Sequence, residues 1–211
     1  MRTLVIDCAT SACSVALIDD GAVVAATHDV VGRGHAERLL PMIAALPGGG
    51  RADHILVDCG PGSFTGVRVG LAAARGLALG WGTTIAGYTS TSLIAAAAFA
   101  RGRAEGNLAV VLEGGHGEVF MQDFTFAPLA EQTPIRSVLP AEALAIIGTH
   151  VAFGSGVRHL RALDADAKLF DALPNAADMI LLPSDFAVLP PVPIYGRAPD
   201  AKTLAERGVT R

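Results

Sequence analysis

Gly60-Pro61-Gly62-Ser63-Phe64-Thr65-Gly66-Val67-Arg68 is the stretch on which the fold turns. It follows a short apolar run, Ile55-Leu56-Val57, and opens a long alanine- and glycine-rich helical pattern. A strand, a glycine loop and a helix start together make a cradle for phosphate or another anion. Backbone N–H groups point outward there and the helix dipole favours negative charge. Yet the loop lacks the Lys-Ser/Thr pair that completes a P-loop. Its Gly60, Gly62 and Gly66 are spaced two and four, so the dinucleotide-binding fingerprint fails too. The plainer reading is a tight strand-to-helix connection, with Gly62 at an unusual φ and Ser63 or Thr65 capping the helix.

Working outward, Leu4–Ile6, Ser14–Ile18 and Ala22–Ala26 read as three strands, the last two joined by a turn at Asp19-Asp20-Gly21. Leu39, Met42, Ile43 and Leu46 recur at spacings of three and four. This predicts a helix over His35–Leu46, bent or restarted at Pro41 and ended by Gly48-Gly49-Gly50. Ile55–Val57 is a fourth strand, Thr65–Leu79 a helix and Thr84–Tyr88 a fifth strand. Thr89–Ala100 is a helix capped by Thr89, Ser90 or Ser92. Three strands, helix, strand, helix, strand, helix is the order of a ribonuclease H-like α/β lobe.

Beyond a linker at Arg101–Asn107 the pattern starts again. Val110-Val111-Leu112-Glu113 echoes Leu4-Val5-Ile6-Asp7, and Glu118–Phe124 follows as Ser14–Ile18 does. Two related lobes, or two unrelated hairpins, would give this signal. A helix at Ala141–Ile147, a strand at Val151–Phe153, Gly154-Ser155-Gly156 and a helix from Val157 to Leu163 come next. A proline-rich tail and a short helix at Ala201–Arg207 close the chain. The expected division is 1–103 for the first lobe, 104–190 for a smaller degenerate second lobe, and 191–211 for a tail that could return to the first.

The chain has 211 residues, 51% of them hydrophobic, and a mean hydropathy of +0.46. Its longest apolar tract, Leu93–Ala100, is far short of the ~20 residues that span a bilayer. The apolar excess therefore suggests a further buried surface such as a subunit interface. Thr3-Leu4-Val5-Ile6-Asp7 follows Met1-Arg2 as a strand rather than a leader. Cys8, Cys13 and Cys59 lie in or beside apolar runs and read as reduced core thiols of a cytoplasmic protein. A net charge of −4 with scattered arginines does not suit a free-standing nucleic-acid binder.

Asp7 with Thr10, at the end of a first strand, lies where sugar kinases and actin-like ATPases hold their nucleotide; alternatively Asp7 caps its own turn. The residues of a vestigial nucleotide or phosphate site are Asp7, Thr10, Gly62, Ser63, Thr65, Gly154 and Gly156. Gly66, Gly70 and Ala74 form a small-residue stripe that lets another helix approach closely. The six histidines have no metal-ligand spacing, and His35 reads as a capping or surface residue. No nucleophile elbow is present, and no residue is assigned a catalytic role.

Ile6–Leu17 (IDCATSACSVAL), Gly34–Ile43 (GHAERLLPMI) and Gly60–Gly80 (GPGSFTGVRVGLAAARGLALG) together resemble the TsaB/YeaZ family. Weaker echoes are Gly117–Phe120, Phe153–Val157 and Pro193–Arg197. The resemblance implies an actin-like, sugar-kinase-like two-lobe fold. It also implies a non-catalytic paralogue of TsaD in making threonylcarbamoyladenosine in tRNA. TsaD carries its metal on an HxxxH pair in the helix after the fifth strand, and Thr89–Ala100 here has no histidine. Metal and ATP are thus expected on partners, a TsaD-like catalytic subunit and a TsaE-like ATPase, with weak nucleotide binding at most on this chain. Transfer is expected from threonylcarbamoyl-AMP to N6 of the adenosine beside the anticodon, with tRNA held mainly by the complex.

The family joins TsaD through helices of the N-terminal lobe, and forms a homodimer on the same surface when alone. Carried over, the contact residues are Leu39, Met42, Ile43 and Leu46, with Gly66, Val67, Gly70, Leu71 and Ala74. Two departures stand out: Glu113-Gly114-Gly115-His116 replaces an Asp-Ala-Arg pattern, and Gly196 stands where the family often has Leu. The rivals are an actin-like ATPase or small-molecule kinase using Asp7, Gly62–Thr65 and Gly154–Gly156, and a metallopeptidase, against which the missing histidine pair argues.

Overall fold

The computed structural model describes residues 1–196. β1 (Arg2–Asp7), β2 (Ala12–Asp19) and β3 (Ala22–Val30) form an antiparallel meander. Asp20 and Gly21 turn β2 into β3 at φ 47° and 79°, the left-handed pair that a two-residue hairpin loop requires. α1 (His35–Ala45), β4 (His54–Asp58), α2 (Phe64–Trp81) and β5 (Thr84–Tyr88) follow. β4 and β5 add in parallel, giving the sheet order β3-β2-β1-β4-β5.

After α3 (Ser90–Ala100) the plan is repeated. β6 (Asn107–Gly115) and β7 (Glu118–Thr125) pair antiparallel, with β8 (Ala130–Glu131) and β9 (Arg136–Val138) both on β7. Then come α4 (Pro140–Ile147), β10 (Val151–Phe153), α5 (Val157–Arg161) and β11 (Leu169–Phe170). β10 lies parallel to β6 and β11 parallel to β10. The result is two mixed-sheet lobes of the actin-like, ribonuclease H-like class, and the paired hairpins in the sequence are the duplicated starts of those lobes.

Strand alternation sorts the core into layers. Leu4, Ile6, Val15, Leu17, Ile55 and Val57 face α1 and α2. Val5, Ala16, Ile18 and Leu56 face the other way, against Leu93 and Ala96 of α3. Ile94, Ala95, Ala98 and Phe99 of the same helix pack on Leu108, Val110, Leu112, Phe120 and Phe124 of the second sheet. The outer face of that sheet is covered by α4 and α5. α3 is buried from Ser90 through Phe99, as a helix apolar all round must be.

Several boundaries differ from the sequence reading. α1 runs through exposed Pro41 without a break. α5 stops at Arg161 rather than Leu163. The chain does not stay with the second lobe until 190. A 3-10 helix over Ala176–Leu181 already packs on the first lobe, where the Ala176 N–H donates to Ser14 Oγ. Leu189 then bridges to Gly87 of β5, and the Ile194 N–H donates to the Cys59 carbonyl. The short helix expected at Ala201–Arg207, and Arg197 of the C-terminal motif, lie outside the described residues. Among the described residues no helix is long and apolar enough to cross a membrane.

Candidate functional site

The glycine loop docks onto the turn after β1. A Cβ on Gly62 would sit 1.9 Å from the Ala9 carbonyl oxygen, and one on Gly66 2.1 Å from that of Cys8. Close approach, not an unusual φ, is therefore what demands Gly62. Ser63 is the N-cap of α2, accepting from the Gly66 N–H at 3.1 Å, while Thr65 is exposed within the first turn. Some of the loop's amides are used inside the chain. Gly60 N–H donates to Asp58, Ser63 N–H to the Ala9 carbonyl and Val67 N–H to the Ser63 carbonyl.

The second lobe repeats the arrangement. Gly154 would bring a Cβ within 2.1 Å of the Val111 carbonyl oxygen, and the Gly156 N–H donates to that same oxygen. Gly154 and Gly156 therefore serve backbone packing. Between the lobes a cleft of about 920 Å³ is lined by Thr10, Gly62 and Ser63 on one side and by Glu113, His116 and Ser155 on the other. Arg33, Arg68 and Tyr195 stand at it as well. Of the proposed nucleotide residues, Thr10, Gly62 and Ser63 reach this cleft; Asp7, Thr65, Gly154 and Gly156 are not among its lining.

Asp7 lies beneath the cleft floor, fully buried, in a cluster that the sequence reading missed. Tyr88 OH donates to Asp7 Oδ2 at 3.0 Å. Ser90 Oγ lies 3.2 Å from that oxygen and 2.5 Å from Asp58 Oδ2. Asp58 Oδ1 accepts the Gly60 and Ser90 N–H groups at 2.8 and 2.9 Å. Burial, then the neighbouring Asp58 charge, holds the Asp7 carboxyl well above the usual range. Burial pushes Asp58 up to about 6 against the hydrogen bonds it accepts. Asp58 ends β4, Tyr88 ends β5 and Ser90 opens α3, so only the parallel sheet brings them to Asp7.

This donor set does not fit a magnesium-nucleotide. The expected carboxylate is buried and paired away from the cleft. Among the described residues that line the cleft, the one carboxylate is Glu113, and it is engaged by Arg158 and His159. Among the described residues no three His, Cys, Asp or Glu side chains gather as a metal site. Gly196, where the family often has Leu, is explained by its neighbour: a Cβ there would lie 2.6 Å from the Phe120 ring. His35 is also a correction. Its ring is buried, with Nε2 2.9 Å from the Thr10 carbonyl, tying α1 to the turn after β1.

The expected contact surface is corrected too. Leu39, Met42, Ile43, Leu46, Val67, Leu71 and Ala74 are all buried in the first lobe's own core. Gly66 and Gly70 are likewise buried, against Cys8, and a Gly70 Cβ would meet the Cys8 Cβ at 3.5 Å. The stripe seats α2 on its own sheet. A second stripe at the same spacing, Ala72, Gly76 and Gly80, faces outward. A Cβ on Gly76 or Gly80 would meet nothing within 4 Å, and neighbouring Leu79 is 87% exposed. Leu40, Pro41 and Ala44 are exposed on α1.

A family model described as "TsaD: tRNA N6-adenosine threonylcarbamoyltransferase" matches residues 27–139, more than half of the chain. "tRNA threonylcarbamoyladenosine biosynthesis protein TsaB" of Escherichia coli is 39% identical over 129 residues, covering 59% of this chain and 55% of that protein. YeaZ from Pseudomonas aeruginosa superposes with a TM-score of 0.78 at 26% identity, covering 92% of this chain and 99% of that one. The chain belongs to the TsaB/YeaZ family. An uncharacterized Mycobacterium tuberculosis protein is 32% identical over 216 residues, 96% of this chain and 94% of that protein. The chain spans about half the length of the curated TsaB relatives it matches. The TsaB/YeaZ likeness extends through the second lobe as fold, as the coverage of the Pseudomonas structure requires.

Proposed function

We propose that this chain is a non-catalytic subunit of the machinery that makes threonylcarbamoyladenosine in tRNA. It holds a TsaD-like catalytic subunit in its active arrangement and helps to seat a TsaE-like ATPase. The complex then transfers threonylcarbamoyl from threonylcarbamoyl-AMP to N6 of the adenosine beside the anticodon. The observation that carries the reading is the outward stripe of α2. A glycine in a helix interior costs about 0.5–1 kcal/mol against alanine, and none of the described residues requires Gly76. A partner helix crossing at close range does require it. The contact face is thus the outer surface of α1 and α2, with Leu40, Ala44, Ala72, Gly76 and Leu79 in place of the buried set. The same face pairs two copies of the chain when the partner is absent.

The test is reconstitution with a TsaD-like and a TsaE-like protein, threonylcarbamoyl-AMP and tRNA. Modification is expected to depend on this chain, and Gly76→Trp is expected to abolish co-elution with the TsaD-like subunit while the variant stays folded. Equal modification without the chain would sink the assignment. ATP hydrolysis by the isolated chain would favour the kinase-like alternative, which the buried Asp7 does not support.

A further inference from the structure

The cluster under the cleft sets two buried carboxyls around one serine hydroxyl. Ser90 Oγ lies within hydrogen-bonding distance of both carboxyls, at 2.5 Å from Asp58 and 3.2 Å from Asp7. A hydroxyl has one hydrogen to donate. If both groups were ionised, one would face the Ser90 oxygen with lone pairs on both sides. The second contact is satisfied only when one carboxyl is a neutral acid donating to Ser90.

The surroundings decide which one. Asp58 accepts two backbone N–H groups and the short Ser90 contact, an arrangement that suits a carboxylate. Asp7 has the Tyr88 hydroxyl and the Ala9 backbone acting on it, and the neighbouring Asp58 charge favours its neutral form. The titratable groups around the pair are Cys8 after β1, Cys59 after β4, Tyr88 on β5 and, through Cys8, Cys13 on β2. None of these brings a positive charge.

We propose that Asp7 holds a structural proton, and that Asp7–Ser90–Asp58 is a proton-dependent clasp joining the ends of β1 and β4 to the first turn of α3. Ser90 takes the Asp7 proton as acceptor and gives its own hydrogen to Asp58. Losing the Asp7 proton leaves two anions in a dry site, with the Gly60 loop and the first turn of α3 fastened to one of them. Repulsion between the two anions then strains the anchor of the helix between the two sheets as pH rises.

Both carboxyls are shifted upward, so the stability this carries is complete below about pH 4, where the unfolded carboxyls are protonated too. It falls as pH rises, through about 6 for Asp58 and through the raised value of Asp7. The experiment is urea unfolding of the full-length wild type, Asp7→Asn and Asp58→Asn across neutral to alkaline pH. An amide at position 7 mimics the neutral acid: its NH₂ donates to Ser90 and its oxygen accepts from Tyr88. The ratio of wild-type to D7N unfolding constants is expected to rise up to about tenfold per pH unit until Asp7 ionises. D58N is expected to be destabilised at every pH. Parallel pH curves for wild type and D7N, or equal damage from D7N and D58N, would overturn the proposal. Infrared spectra of wild type labelled at the aspartate carboxyl carbons decide it without any variant. A neutral-acid carbonyl band at neutral pH is expected, and its absence would overturn the clasp.

Discussion

The two lobes share a joint and differ in what the joint carries. In the first, Gly62 crosses the Ala9 carbonyl; in the second, Gly154 crosses the Val111 carbonyl, with similar closeness. Yet α2 runs for 18 residues beyond its joint and α5 for only 5. The glycine loops are therefore a construction device of the duplicated fold. They mark where a helix starts against the lobe's opening strands. What is specific to this chain lies in the unrepeated parts: the outward face of α2 and the buried acid cluster. In the second lobe the acid after the opening strand, Glu113, is half-exposed and paired with Arg158 instead.

If the joints are equivalent, alanine should break both. Gly62→Ala and Gly154→Ala each press a methyl into a carbonyl oxygen, with φ 134° adding strain at Gly154. Each is expected to cost 3 kcal/mol or about that, read as a lowered urea midpoint. A tolerated change at one site alone would show that the lobes are built differently there. Gly196→Leu tests where the strap returning to the first lobe meets Phe120 of the second. Because a ring at the end of a side chain can move, a loss of about 1–2 kcal/mol is expected by thermal unfolding. The smallest effect is a gain. Gly76→Ala should stabilise the isolated chain by about 0.5–1 kcal/mol, since its methyl projects into open space. A loss there would mean that an unseen internal constraint, rather than a partner, keeps the glycine.

In the first lobe the succession of strands and helices was legible because local chemistry dictates it: Asp20-Gly21 makes the turn, and of the candidate caps Ser63 or Thr65 and Thr89, Ser90 or Ser92 the structure takes Ser63 and Thr89. The orientation of α2 was not. Its residues are so uniformly small that two stripes at the same spacing, Gly66-Gly70-Ala74 and Ala72-Gly76-Gly80, read alike, and only the packing against Cys8 separates inside from outside. On α1 the apolar set Leu39, Met42, Ile43 and Leu46 carried the ordinary signature of a core face, and the resemblance drew it outward wrongly. The Asp7 cluster was out of reach because Asp58 and Ser90 lie 51 and 83 residues further along the chain. Parallel strands bring such positions together with no local pattern to announce it.

α3 has a consequence for how the molecule comes apart. Its two sides belong to two different cores, with Leu93 and Ala96 toward one sheet and Ile94 and Phe99 toward the other. Neither lobe owns the helix, so neither can melt while leaving the other intact. Heating should give a single cooperative transition, and a chain cut after residue 103 should expose an apolar helix flank and precipitate rather than persist as an independent half.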